Sequence, residues 1–129
     1  MLNSGIINPQ LLNLLARVRH TNSLAILDCG FPNWPGVEVI DISLTRGVPT
    51  VLQVFDLIRP VFKVGKIWQA EEFLQRNSEE TIDEFAKAVD GLKFTREPHA
   101  EFKGRIPSVI GLIRTGDATP YSNLIFESE

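Results

Sequence analysis

The chain has 129 residues, 43% hydrophobic and 22% charged, and thirteen basic side chains against sixteen acidic ones leave a net charge of −3. That length and composition fit a single domain over residues 1–129, large enough to bury a core without disulfide or metal staples. The acidic balance excludes a nucleic-acid binder with a basic face, and the lone Cys29 cannot pair within the chain, which predicts a reducing, cytoplasmic setting.

The opening Met1-Leu2-Asn3-Ser4-Gly5 has no cationic segment leading into an apolar one, so no secretory leader is expected. Asn8-Pro9 reads as an N-cap with proline at the first helical position. Leu11, Leu12, Leu15 and Val18 then recur at helical spacing and predict a helix from Pro9 to Arg19. Ser23 to Asp28 is an apolar run without alternation, the pattern of a strand buried on both faces. Gly30, Pro32, Pro35 and Gly36 make Cys29 to Gly36 a loop, and Val37 to Asp41 reads as a second strand. After Gly47-Val48-Pro49, one apolar face of Val51, Val54, Phe55 and Ile58 predicts a helix that Pro60 ends. The apolar region around it contains Gln53 and Asp56 and is too short to span a bilayer, so no membrane segment is expected.

Val61 to Trp68 alternates as a strand does. Asn77 with Glu80 fits a capping box, followed by an amphipathic helix through Ile82, Phe85, Ala86 and Val89 to Gly91. A short helix is expected after His99, a strand over Ser108 to Arg114, turns at Thr115-Gly116-Asp117 and Pro120, and a last strand at Leu124-Ile125-Phe126. Strands alternating with helices predict an α/β fold, a three-layer domain with a mixed or mostly parallel sheet covered by helices on both faces.

The chemistry must come from few residues. His20 and His99 are the two histidines. His20 follows the first helix, and Asp28 ends the first buried strand, where α/β sheets bind ligands. The two either form an orienting pair, with the carboxylate fixing the imidazole tautomer, or separately cap a helix and a turn. Tyr121 and Asn123 lie in a polar turn and would offer a hydroxyl and an amide to a polyhydroxylated ligand, or simply connect strands. Phe31 and Trp34 would stack on a sugar or pack the loop, and Cys29 reads as a small core residue rather than a nucleophile. The acids Glu71, Glu72, Glu79, Glu80, Asp83 and Glu84 read as a solvated face. No phosphate-cradling glycine loop, nucleophile elbow or Cys/His metal spacing occurs, so neither cofactor nor metal is expected.

The run from His20 to Pro32, through Asp28-Cys29-Gly30, resembles the His-Thr-Asp…Asp-Ala-Gly-Leu-Pro block of the D-ribose pyranase family and its sister branch, the fucose mutarotases. Ile40 to Pro49, Pro98 to Lys103 and Ile113 to Asn123 are similar to the family's next blocks, in register over essentially the whole chain. The resemblance implies an isomerase that interconverts pyranose and furanose forms of free D-ribose, with the same reaction on fucose or another monosaccharide as the alternative. A non-catalytic sugar-binding or transport-accessory protein, and a small hydrolase working through His20 and Asp28, are the competing readings.

The same resemblance implies His20 as the catalytic acid/base and Asp28, His99, Tyr121, Ser122 and Asn123 as the sugar-binding residues. It implies a ring-shaped homo-oligomer, often a decamer, in which a neighbouring subunit helps complete each site. Ring opening needs a proton delivered to the ring oxygen while the anomeric hydroxyl loses one, work suited to an imidazole of ordinary pKa near 6.5. Cys29, Phe31, Ser122 and the Asn33-Trp34-Pro35-Gly36 loop depart from the family pattern.

Overall fold

A computed structural model describes residues 1–129. Helix α1 (Pro9–Ala16) starts as the sequence requires, the Asn8 side chain accepting from the Leu11 N–H at 2.9 Å. It stops short of Arg19: the Arg17 and Val18 N–H groups bond back to Leu14 and Leu15, and Thr21 turns the chain at φ +65° into β1 (Ser23–Leu27). Strand β2 (Val39–Asp41) leads to α2 (Val51–Ile58), which opens on a capping box between Thr50 and Gln53. Strand β3 (Val64–Ala70) begins later than the alternation at Val61 suggested.

Two of the elements that follow, α3 (Glu72–Arg76) and β4 (Lys93–Glu97), were not predicted. Between them lies α4 (Glu79–Ala88), capped by Ser78 rather than Asn77, because the Ser78 hydroxyl is the group that accepts from the Thr81 N–H. The Asn77 amide is used elsewhere, on the carbonyls of Phe73 and Pro120. Helix α5 (His99–Arg105) follows β4, and a 3-10 turn over Ile106–Ser108 replaces the expected start of the next strand. Strands β5 (Gly111–Arg114) and β6 (Leu124–Ser128) complete the chain.

The six strands form one sheet in the order β2-β5-β1-β6-β3-β4. Five are mutually parallel, and β6 alone runs against them, inserted between β1 and β3. The sheet is therefore mixed, and central β1 is apolar at four successive positions because helices cover both faces. On one face α1, α2 and α4 pack Leu14, Phe55 and Phe85 over Leu24, Ile26, Ile67, Ile113 and Phe126. On the other, Phe102 of α5 and Ile106 lie on Ala25, Leu27, Leu112 and Ile125. Burying a side chain such as Phe102 stabilises the fold by about 1.5–3 kcal/mol. It also fixes α5, and with it His99, against the carboxyl end of β1. No helix is long and apolar enough to cross a membrane.

Candidate functional site

The site forms where β6 reverses direction. Because β6 is antiparallel to β1, with Leu124 opposite Ile26, the residues just before β6 meet those just after β1. Asn123 thereby reaches Asp28 across the sheet's carboxyl edge. Its Oδ1 accepts from the Asp28 backbone N–H at 2.7 Å, and its Nδ2 donates to the Asp28 carboxylate at 3.2 Å. The other carboxylate oxygen accepts from the Gly30 N–H at 3.0 Å. Burial pushes the Asp28 carboxyl above its ordinary range, partly offset by the Gly30 N–H and the Asn123 amide.

His99 arrives from the third direction, as the first residue of α5 directly after β4 and Pro98. With Asp28, Phe31, Lys103, Tyr121 and Asn123 it lines a cleft of about 260 Å³. The Tyr121 ring meets the imidazole edge to face, centroids 5.0 Å apart, and Phe102 stacks behind it at 6.1 Å. Nδ1 of His99 is buried and has no hydrogen-bond partner. Burial, and then the Lys103 ammonium, hold this imidazole below its ordinary pKa, so at neutral pH it is uncharged and has one donor and one acceptor nitrogen. Tyr121 itself sits at φ +57°, a left-handed conformation that costs a non-glycine residue roughly 1–3 kcal/mol and persists only where neighbours impose it. Ser122 is fully buried beneath, its hydroxyl unpartnered.

Of the two readings of His20 and Asp28, the orienting pair does not form within one chain. His20 precedes β1 and Asp28 follows it, and five extended residues at roughly 3.3 Å each hold the two apart. His20 is exposed, with Nδ1 2.7 Å from the backbone oxygen of Glu129 at the far end of β1. Phe31 is 5% exposed and belongs to the smaller core, with Trp34 stacked on it at 6.3 Å. Packing thus occupies both aromatics, and Phe31 also closes one wall of the cleft. Its loop is tied down by Arg114, which donates to the Phe31 carbonyl and the Asn33 side chain. Cys29 is a free, half-buried thiol whose N–H bonds the Asp117 carbonyl.

Three contributors went unread in the sequence. Lys103 stands one turn beyond His99 in the helix expected there, so the i, i+4 spacing was a usable signal. Asp117, 5% exposed, caps α2 through the Val51 N–H and holds the Thr119 N–H, shaping the turn that carries Tyr121. Glu72, grouped with the solvated acids, instead accepts the backbone N–H of His99. No group of three or more His, Cys, Asp or Glu side chains is arranged to hold a metal ion.

The profile of the RbsD / FucU transport protein family matches residues 1–129. The chain belongs to this family. Among RbsD / FucU members, a D-ribose pyranase of Laribacter hongkongensis is 38% identical over 99% of this chain and 97% of its own, and one of Geobacillus kaustophilus is 36% identical over 99% and 93%. The solved structure of Bacillus subtilis RbsD complexed with D-ribose superposes with a TM-score of 0.91 at 31% identity, covering 99% of this chain and 97% of that one. The Streptococcus pneumoniae fucose mutarotase in complex with L-fucose shares the fold at a TM-score of 0.73 and 17% identity, covering 95% and 92%. Within the RbsD / FucU fold, the cleft described above presents hydrogen-bonding groups that suit a small polyhydroxylated ligand.

Proposed function

We propose that this protein is a pyranase-type mutarotase that binds a free monosaccharide, D-ribose, in the cleft at the carboxyl edge of its sheet and interconverts its pyranose and furanose forms. The observation that carries the reading is the cleft itself. Asp28 and Asn123 are locked to each other, and an uncharged His99 faces Tyr121, on a chain 31% identical to a protein solved with D-ribose. The Asp28 carboxylate keeps lone pairs beyond those its protein partners take, and these accept sugar hydroxyls. His99, Tyr121 and the Asn123 amide complete the set that receives the ring, with the backbone of Ser122 beneath it.

In the reaction a proton goes to the ring oxygen, the anomeric hydroxyl gives one up, and the bond between the anomeric carbon and the ring oxygen breaks. The open aldehyde then rotates and recloses through a different hydroxyl. His20 is the acid/base group in this reading. It stands at the opposite end of β1 from its own chain's cleft, so it acts on the cleft of a neighbouring copy. That geometry favours a closed homo-oligomer, such as the decamer that the resemblance implies, with each site built by two chains. The unpaired thiol of Cys29 favours the reducing cytoplasm as the place of work.

The test is magnetisation exchange between the anomeric signals of ribose. His20→Ala should keep the fold and lose about 10²–10⁴-fold in exchange rate. A mixture of His20→Ala with Asn123→Ala, dissociated and reassembled, should regain part of the activity, because some interfaces then pair an intact cleft with an intact His20. Parent-like exchange by His20→Ala removes His20 from the chemistry, and no regain in the mixture removes the shared site.

A further inference from the structure

The short helix α3 touches the cleft's walls from outside, and nothing assigned so far explains why it is built as it is. Only Phe73 anchors it in the core, against Phe85 at 4.7 Å, and no side chain caps its N-terminus. A single turn of this kind has no stability of its own, so its polar contacts place it. There are three. The Glu71 N–H donates to the Glu97 carbonyl at 2.8 Å, fastening α3 to the end of β4. Both carboxylate oxygens of Glu72 accept the backbone N–H of His99, at 3.0 and 3.1 Å. At the other end Asn77 Nδ2 donates to the Phe73 and Pro120 carbonyls, both at 2.9 Å. One contact therefore ends on the residue carrying the cleft imidazole and another on the residue preceding Tyr121. Those two rings face each other 5.0 Å apart, and Tyr121 is in a backbone conformation that its surroundings must impose.

We infer that α3 is a bracket that sets the distance between His99 and Tyr121, with Glu72 and Asn77 as positioning residues for sugar binding. Neither side chain touches the sugar. Glu72 fixes where α5 begins and hence where the imidazole points; Asn77 fixes the approach to Tyr121. The charge on Glu72 has a second effect on the ring. The charged groups that face His99 are Lys103 on its own helix, Glu72 on α3 and Asp28 after β1, and of these the two carboxylates favour the imidazolium.

The inference rests on the sugar-binding reading of the cleft, and the experiment separates the two. Parent, Glu72→Ala, Glu72→Gln, Asn77→Ala and Asn77→Asp are compared for ribose exchange, with KM and kcat resolved, well below their melting temperatures. Glu72→Ala and Asn77→Ala should each raise KM about tenfold with kcat within about threefold, as expected when binding groups are displaced rather than chemistry removed. Glu72→Gln should restore KM, because its amide oxygen still accepts the His99 N–H, whereas Asn77→Asp should not, since a carboxylate cannot donate to two carbonyls. In Glu72→Gln the NMR titration midpoint of His99 should still fall below the parent's, because the charge is gone while the hydrogen bond remains. Arg59→Ala, which releases α2 from the Ala88 and Asp90 carbonyls far from the cleft, controls for general loosening and should leave KM unchanged. If the parent neither binds nor exchanges ribose, the functional reading fails, and the NMR cross-peaks between the His99 and Tyr121 rings, weakened in Glu72→Ala and kept in Glu72→Gln, still report on the bracket. If the parent is active and Glu72→Ala keeps its KM, the bracket is refuted.

Discussion

Replacing Asn123 with aspartate changes one atom pair at the centre of the site. Asn123 is 3% exposed and donates its Nδ2 to the Asp28 carboxylate at 3.2 Å. In Asn123→Asp that donor becomes an oxygen. The acceptor for the Asp28 N–H survives, but a hydrogen bond to a charged group, worth about 1.5–3 kcal/mol, is lost and two carboxylates face each other. Repulsion is limited, since the pair can take up one proton. Holding that proton at pH 7 on a carboxyl of ordinary pKa near 4 costs about three units, or about 4 kcal/mol. Asp28 keeps contact with solvent at the cleft, which screens the repulsion, so a net loss of about 2–3 kcal/mol at pH 7 is expected. Unfolding entropy of roughly 2.1 cal/mol/K per residue over this chain converts each kcal/mol into about 4 °C, so the melting temperature should drop by about 8–12 °C. The deficit must depend on pH with a definite sign. The shared proton raises the folded-state pKa above the unfolded one, so the folded state binds more protons, and stability falls as pH rises from the unfolded value near 4 up to the raised folded-state value. Lowering the pH to about 4.5 should therefore recover most of the loss. Circular-dichroism melts of parent and variant at both pH values decide it. An equal deficit at the two pH values, or a change at pH 7 under about 2 °C, would refute the reasoning.

Elsewhere in the cleft, His99→Arg sets a permanent cation beside Lys103 where an uncharged ring now sits, and should slow ribose exchange about tenfold, equivalent to about 1.4 kcal/mol, with the fold kept. Parallel exchange measurements on ribose and fucose show whether the preference shifts; unaltered ribose turnover would take His99 out of the site. The His99 imidazole should titrate below its ordinary value of about 6.5 in parent protein, so its neutral form contributes stability that is lost as pH falls through that unfolded value; an NMR midpoint above it contradicts this. A Cβ at Gly116 would run into the carbonyls of Thr45 and Val48, so Gly116→Ala should fail to accumulate as folded protein. Gly104, with open space at its Cβ inside α5, should instead gain about 0.5–1 kcal/mol as alanine, read as a higher melting temperature.

What could be read in the sequence follows from how locally each feature is determined. The Asn8-Pro9 cap and the Val51, Val54, Phe55, Ile58 face are short-range signals, and both helices begin where those signals put them. Strand β4 hid because it is an edge strand, where Lys93 and Thr95 reach solvent and the apolar pattern is diluted. Helix α3 hid because one buried phenylalanine leaves no periodicity to detect. At the site, Tyr121 and Asn123 stood out as a hydroxyl and an amide in a turn. That Asn123 clasps Asp28 depends on β6 running against β1, a long-range fact that no local pattern carries. Whether His20 pairs with Asp28 stayed open in the sequence for the same reason: a short sequence interval crosses a whole strand and puts the two at opposite ends.

The placement of β6 also sets the order in which the molecule can be made. The parallel strands fall into two groups, β2-β5-β1 and β3-β4, and only β6 hydrogen-bonds to both. Ser23 pairs with Glu127, partners separated by about a hundred residues, so the loop entropy of closing the sheet is met in one late step. The edges of β1 and β3 that β6 covers therefore stay unpaired until β6 itself is available, and in that interval they are open to other chains. Substitutions in Leu124–Ser128 should affect yield in the cell more than equally buried substitutions in α1.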